Sequence, residues 1–122
     1  MTIKGGIKIN LKYNKKNETL IIQNNYLLYS INLNDVYYFE RLGRKIDVAL
    51  FDKRISFYGS FVELENILDS KSFLKCHKSY IVNCNKIFKI DKDEISFSDI
   101  EDIIIVSENF KNSLISFIIQ IV

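Results

Sequence analysis

Proline and tryptophan are absent from this chain of 122 residues, while glycine occurs four times, cysteine twice and histidine once. Without a proline-rich, glycine-rich or low-complexity stretch there is no linker and no internal repeat, so a single domain over residues 1–122 is expected. Gly5-Gly6 and Gly43 make neither a GxGxxG nor a GxxxxGK loop, which removes the usual phosphate cradles. Two cysteines are too few for a secreted disulfide scaffold, and a chain of this length can bury about two-thirds of its unfolded surface without staples. No apolar run near the start has the length and charged flank of a signal peptide, so a cytoplasmic location is expected. The most lipid-like segment, Leu114 to Val122, spans nine residues. That falls far short of the roughly 20 needed to cross a bilayer, and no membrane attachment is expected.

Catalytic side chains are equally scarce. Cys76 and His77 adjoin, which invites a nucleophile and its base, but neighbouring residues of an extended strand point to opposite faces and cannot share a hydrogen bond. The same parity argument separates them as zinc ligands, and their spacing from Cys84 matches no common closed site. Both cysteines read as packed hydrophobes. We expect no enzyme, no metal, no cofactor and no small-molecule substrate.

What is present is a period of two. Ile7 to Tyr13 alternates as IKINLKY, with Ile7, Ile9, Leu11 and Tyr13 on one face. Strand-like runs follow at Thr19 to Gln23 and Tyr26 to Asn32, joined by Asn24-Asn25 as a hairpin turn, then at Val36 to Glu40, Ile46 to Phe51 and Arg54 to Tyr58. Alternation places Tyr37 and Phe39 on one face and Tyr38 on the other. The period then changes. Ser60-Phe61-Val62-Glu63 has the form of a capping box, and Phe61, Leu64 and Ile67-Leu68 recur at helical spacing. Strands resume near Leu74 to Cys76, Tyr80 to Val82, Ile87 to Ile90, Glu94 to Phe97 and Ile103 to Val106. Ser107 can cap a last helix from Glu108 onward, although the β-branched Ile115, Ile118, Ile119, Ile121 and Val122 could equally extend. The fold class is mostly β with one or two short helices.

Charge is small in total and uneven in distribution. The formal net charge is +2, too little for global steering of nucleic acid, so any such binding rests on a local patch. Residues 71–90 hold five lysines and no carboxylate, whereas Asp91 to Glu108 holds seven carboxylates and one lysine. Arg41, Arg44 and Lys45 surround Gly43 between two strands, and Lys75, Lys78 and Lys86 form a second group. An isolated basic loop usually marks a solvated face; two such groups, one without carboxylates, point toward an anion such as nucleic acid.

The run Phe73-Leu74-Lys75-Cys76-His77-Lys78-Ser79-Tyr80-Ile81-Val82-Asn83 resembles the signature F-x-R-x-H-R-S-[FY]-x-V-N of LytTR domains. These are the DNA-binding outputs of LytR/AlgR-type bacterial response regulators. In the same order, Asp35 to Glu40 resembles the family's D-I-x-Y-I-E strand, and Ser60 to Leu68 resembles its S-L-x-E-L-E-x-x-L helix. Order and spacing agree over about residues 18–112, with 113–122 an apolar C-terminal end.

The resemblance implies a compact, mostly antiparallel β fold that reads double-stranded DNA with loops inserted into successive major grooves. By position it assigns Arg41, Arg44 and Lys45 to the first loop, Lys78 and Ser79 to the centre, and Asn109 and Lys111 to the last. His77 is implied to be structural, its imidazole bonding backbone between strands. Glu108 and Asn109 stand where family members usually carry arginine, and Asp99, Glu101 and Asp102 are expected to add repulsion toward phosphate, so a weaker second contact is expected. Partners implied are direct-repeat promoter sites and a homodimer formed on DNA. An interaction protein of the same fold, with weakened DNA binding and acting by pairing with another subunit, is the alternative reading, favoured by Glu108 and the apolar end.

Overall fold

A computed structural model describes residues 10–23, 26–68 and 72–121. Residues 7–9 of the first expected strand and the Asn24-Asn25 turn lie outside them. The described elements run β1 (Asn10–Asn14), β2 (Thr19–Gln23), β3 (Leu28–Asn32), β4 (Tyr38–Leu42), β5 (Lys45–Ala49), β6 (Arg54–Tyr58), α1 (Phe61–Ile67), β7 (Phe73–His77), β8 (Tyr80–Asn83), β9 (Ile87–Asp91), β10 (Glu94–Phe97), β11 (Ile103–Ile105) and α2 (Glu108–Ile121). A five-stranded sheet of order β6-β5-β4-β8-β7 lies at the centre, with three-stranded sheets β1-β2-β3 and β11-β10-β9 beside it. Every described strand pair is antiparallel.

The central sheet buries both faces, and period-two alternation distributes its residues between two cores. Phe39, Ile46, Val48, Phe57 and Ile81 pack with Leu20 and Ile22 of β2, Ile31 of β3, and Phe61 and Leu64 of α1. Tyr38, Ala49, Val82 and Cys76 pack with Ile95, Phe97, Ile104 and Leu114 on the other side. Helix α1 begins at the expected capping box: the Ser60 hydroxyl accepts from the Glu63 N–H at 3.2 Å, and the Glu63 carboxylate accepts from the Ser60 N–H at 3.3 Å. The C-terminal segment is helical despite its β-branched residues. Phe110, Leu114, Phe117 and Ile118 recur at helical spacing against the second core, and that packing outweighs propensity.

The strand expectations hold, with β3 starting two residues later than expected, β5 ending two residues sooner, and β4 two residues later at both ends. The cause is a 3₁₀ turn at Leu33–Asp35 whose cap, Val36, donates its N–H to the Leu33 carbonyl at 3.1 Å and delays entry into β4. Tyr37 precedes the regular strand. Its N–H bonds the Ala49 carbonyl although Ala49 stands opposite Tyr38, so alternation does not reach it. Tyr37 therefore shares the second core with Tyr38, and the expected pairing of Tyr37 with Phe39 is corrected. A second 3₁₀ turn, Cys84–Lys86, follows β8. Each turn follows an asparagine whose side chain accepts the N–H two residues on: Asn32 from Asn34 at 2.9 Å and Asn83 from Asn85 at 3.1 Å.

Asn83 is the buried polar residue of the described core, 1% exposed. Its Nδ2 donates to the Val36 carbonyl at 2.9 Å, so one amide joins the entry to β4 with the exit from β8. At the matching edge of the second core Arg54 gathers three carboxylates, Glu40 at 3.1 Å, Asp47 at 3.6 Å and Asp102 at 3.0 Å. It also donates to the Tyr38 hydroxyl, which donates in turn to Asp102 at 2.6 Å. The Arg54 side chain is 40% exposed, so solvent screening discounts each pair. Their joint effect is to dock the segment before β11 onto the central sheet.

Asn83→Ala removes a buried donor and leaves the Val36 carbonyl unsatisfied, and is expected to lower the unfolding free energy by about 1–3 kcal/mol, read from urea titration. Burial pushes the Cys76 thiol up to about 12 and the Cys84 thiol up to about 11. Above the ordinary thiol value of 9.0 the unfolded chain sheds protons that the folded chain keeps, so stability present below that pH falls as pH rises toward 11–12. The urea midpoint is expected to decline from pH 9 upward, and to decline less steeply in Cys84→Ala.

Candidate nucleic-acid interface

The strand registers gather three separate segments at one end of the central sheet. Leu42 pairs with Lys45, leaving Gly43-Arg44 as a two-residue turn between β4 and β5. Gly43 has φ +65°, and Arg44 does not share that sign, the pattern of a hairpin turn that needs glycine at its first position. His77 pairs with Tyr80, leaving Lys78-Ser79 as the turn between β7 and β8. Because β4 is antiparallel to β8, the end of β4 meets the start of β8. The Arg41 N–H donates to the Ser79 carbonyl at 2.8 Å, joining these two turns directly.

The third segment arrives with α2. Ser107, immediately before the helix, donates its N–H to the Cys76 carbonyl at 2.9 Å, and its own carbonyl accepts from Phe110 at 3.0 Å. The start of α2 is thereby held against the end of β7, next to His77. The seven candidate residues are brought to this end: Arg41, Arg44 and Lys45 on the first turn and its flanks, Lys78 and Ser79 on the second, Asn109 and Lys111 in the first turns of α2.

Their electrostatic circumstances differ. Arg41, Arg44, Lys45 and Lys78 are exposed, and among the described residues no ion pair engages any of them. Lys111 is held by Asp93 of the β9–β10 turn at 3.4 Å. Glu108 occupies the first turn of α2, where a carboxylate suits the helix dipole while opposing an incoming phosphate. The acidic stretch divides in two. Asp99 accepts from the Tyr37 hydroxyl at 3.1 Å and Asp102 is bound by Tyr38 and Arg54, all at the start of β4 and β6, the far end of the sheet. The expectation that Asp99 and Asp102 repel phosphate at the interface is corrected, because the fold turns them to the opposite end. The carboxylates beside the α2 start are Asp93 and Glu108.

His77 Nδ1 accepts the Ser79 N–H at 3.0 Å, closing the β7–β8 turn, and the ring lies 5.4 Å from that of Tyr80. The imidazole thus bonds backbone between strands. The strand is irregular here, since the register shifts between Lys75 and His77 and Cys76 has no partner in the ladder. Parity from a regular strand does not strictly apply, yet the two side chains still part: Cys76 is 0% exposed in the second core, and its thiol, held protonated by burial, is no nucleophile at neutral pH. Of the second basic group, Lys75 sits within β7, while Lys86 lies near the far end over the Tyr37 ring at 5.0 Å. Only Lys78 of that group lies at the end where the three segments meet.

Sequence reasoning passed over Tyr58, whose ring lies under Lys45, and Asp93, which holds Lys111. The Lys45–Tyr58 pair follows from a four-residue connection, residues 50–53, whereas the expected Asp52-Lys53 break sets Asp47 opposite Tyr58. The Lys111–Asp93 contact depends on how α2 docks and left no local signal.

Among the described residues no helix is long and apolar enough to cross a membrane. No curated protein matches this chain in sequence. Among solved structures, the LytTr DNA-binding domain of a response regulator from Bacillus cereus superposes with a TM-score of 0.71 at 23% identity, covering 81% of this chain and 94% of that one. At that identity the likeness speaks for the fold. The family model for the LytTr DNA-binding domain matches residues 26–118, a span that includes all three segments gathered at the sheet end. On that match, over a fold of mostly antiparallel β structure with two helices, the chain belongs to the LytTR family of DNA-binding domains.

Proposed function

We propose that this chain folds as one domain that reads duplex DNA sequence-specifically, inserting the turns at one end of its central sheet into successive major grooves. It acts in the cytoplasm as a transcriptional regulator or the output part of a response regulator. The observation that carries this reading is the meeting of the β4–β5 turn, the β7–β8 turn and the α2 start at one sheet end, where four exposed cations have no carboxylate partner among the described residues. Arg44, at the tip of the first turn, suits bidentate recognition of a guanine edge, with Arg41 beside it. Lys45 and Lys78 suit phosphate, with the Ser79 hydroxyl as a further donor. Asn109 supplies an amide of the kind that reads adenine, on the element that enters the second groove. Lys111 contributes less because Asp93 competes with phosphate for it.

A pairing role without DNA has one specific observation in its favour. An apolar groove of about 230 Å³ runs between β9 and α2, lined by Ile87, Phe88, Ile90, Ile115, Ile118 and Ile119, with Phe88 and Ile119 two-thirds exposed. Such a surface is compatible with two copies pairing on direct repeats, and also with an interaction protein that has no need of DNA.

Titration against duplexes carrying two direct repeats about one helical turn apart separates the two. The first reading predicts saturable binding whose logarithm falls with log salt at about 0.9 per phosphate neutralised. Arg44→Ala is expected to cost about 1–3 kcal/mol and to relax preference at one base position, whereas Lys78→Ala weakens all duplexes alike and reduces the salt slope by about 0.9. Asp93→Asn, by releasing Lys111, is expected to strengthen binding and steepen that slope. A stable dimer that binds no duplex at low salt would leave only the pairing role.

A further inference from the structure

Lys45 opens β5 and stands directly opposite Tyr58, the last residue of β6, so the two side chains project together from the sheet end. The Lys45 ammonium lies 5.4 Å from the Tyr58 ring centroid, within the range of cation–π attraction. Tyr58 belongs to neither core and is 50% exposed, so packing does not account for an aromatic ring at the end of an edge strand. The next residue, Gly59, donates its N–H to the Arg44 carbonyl at 3.1 Å, which fixes the end of β6 to the β4–β5 turn. Ring, lysine and turn therefore form one unit.

Resting on the reading of this sheet end as a DNA interface, we propose that Tyr58 is a positioning residue that holds Lys45 ready for a backbone phosphate. A lysine loses rotamer freedom when it grips a phosphate, and one already lying on a ring has lost part of it beforehand. The nature of the support matters as much. A carboxylate would fix the lysine and cancel its charge, as Asp93 does to Lys111. The neutral ring fixes Lys45 and leaves its full charge for the DNA. Tyr58 thus makes the first turn the stronger electrostatic contact and the α2 start the weaker one.

The test is a double-mutant cycle on binding to a mixed-sequence duplex, with Tyr58→Leu, Tyr58→Phe, Lys45→Met and the Tyr58→Leu/Lys45→Met pair. Tyr58→Phe keeps the ring and is expected to bind like the wild type. Tyr58→Leu is expected to lose about 3- to 10-fold in affinity, and to lose nothing further once Lys45 is already methionine. Equal losses from Tyr58→Leu in both backgrounds, or none in either, overturn the proposal. In the free protein the Lys45 CεH₂ protons should be shifted upfield by the ring current, and Tyr58→Leu should abolish that shift; its absence in the wild type overturns the proposal whatever the DNA result. A wild-type protein that shows the shift and binds no duplex fails the functional reading on its own terms and takes the role of Tyr58 at phosphate with it.

Discussion

One buried amide fixes the geometry on which the interface depends. Asn83 ends β8, and its side chain reaches the Val36 carbonyl just before β4, while its oxygen starts the 3₁₀ turn that leads to β9. Those bonds hold at the far end of the sheet, and the β4–β8 register, Tyr38 opposite Val82 and Glu40 opposite Tyr80, carries the constraint along both strands. A slip of one residue would exchange Phe39 and Tyr38 between the two cores, which neither core could absorb. The next bond in the same line is that of Arg41 to Ser79, where the first two interface turns join. Their relative position is thus specified from the far end of the sheet.

The two ends of the sheet also divide the charge. Arg54 pairs with Glu40, Asp47 and Asp102, and Tyr37 binds Asp99 near the far end. Arg41, Arg44, Lys45 and Lys78 remain uncancelled at the turn end. A net charge of +2 then understates the field a nucleic acid would meet at the two turns, because these four cations have no ion-pair partner among the described residues. The asymmetry within the turn end follows the same logic: the first turn presents cations with no ion-pair partner among the described residues, and the α2 start carries Glu108 and a lysine shared with Asp93.

Much of the fold was legible. Alternation located all the strands, and Ser60 with Glu63 announced α1. What escaped was set by tertiary contact or by a short local code. The two asparagine-led 3₁₀ turns share a written signal, Asn32-x-Asn34 and Asn83-x-Asn85, which shifted β4 and broke the parity of Tyr37. Helicity of Leu114 to Ile121 could not be decided from β-branched residues, since packing of Leu114 and Phe117 decides it. At the interface, the candidate positions followed from the family pattern, and their convergence required the register. The destination of Asp99 and Asp102 escaped because sequence shows a run of charge and not which end of the sheet receives each part of it.

Backbone amide shifts of the protein titrated with a direct-repeat duplex test the account most directly. The account predicts perturbations concentrated at residues 41–45, 77–79 and 107–111, with the far-end residues 50–54 and 99–102 unmoved. Perturbations concentrated at the far end, or along the Ile115–Ile119 face of α2 with the three turns silent, would contradict it.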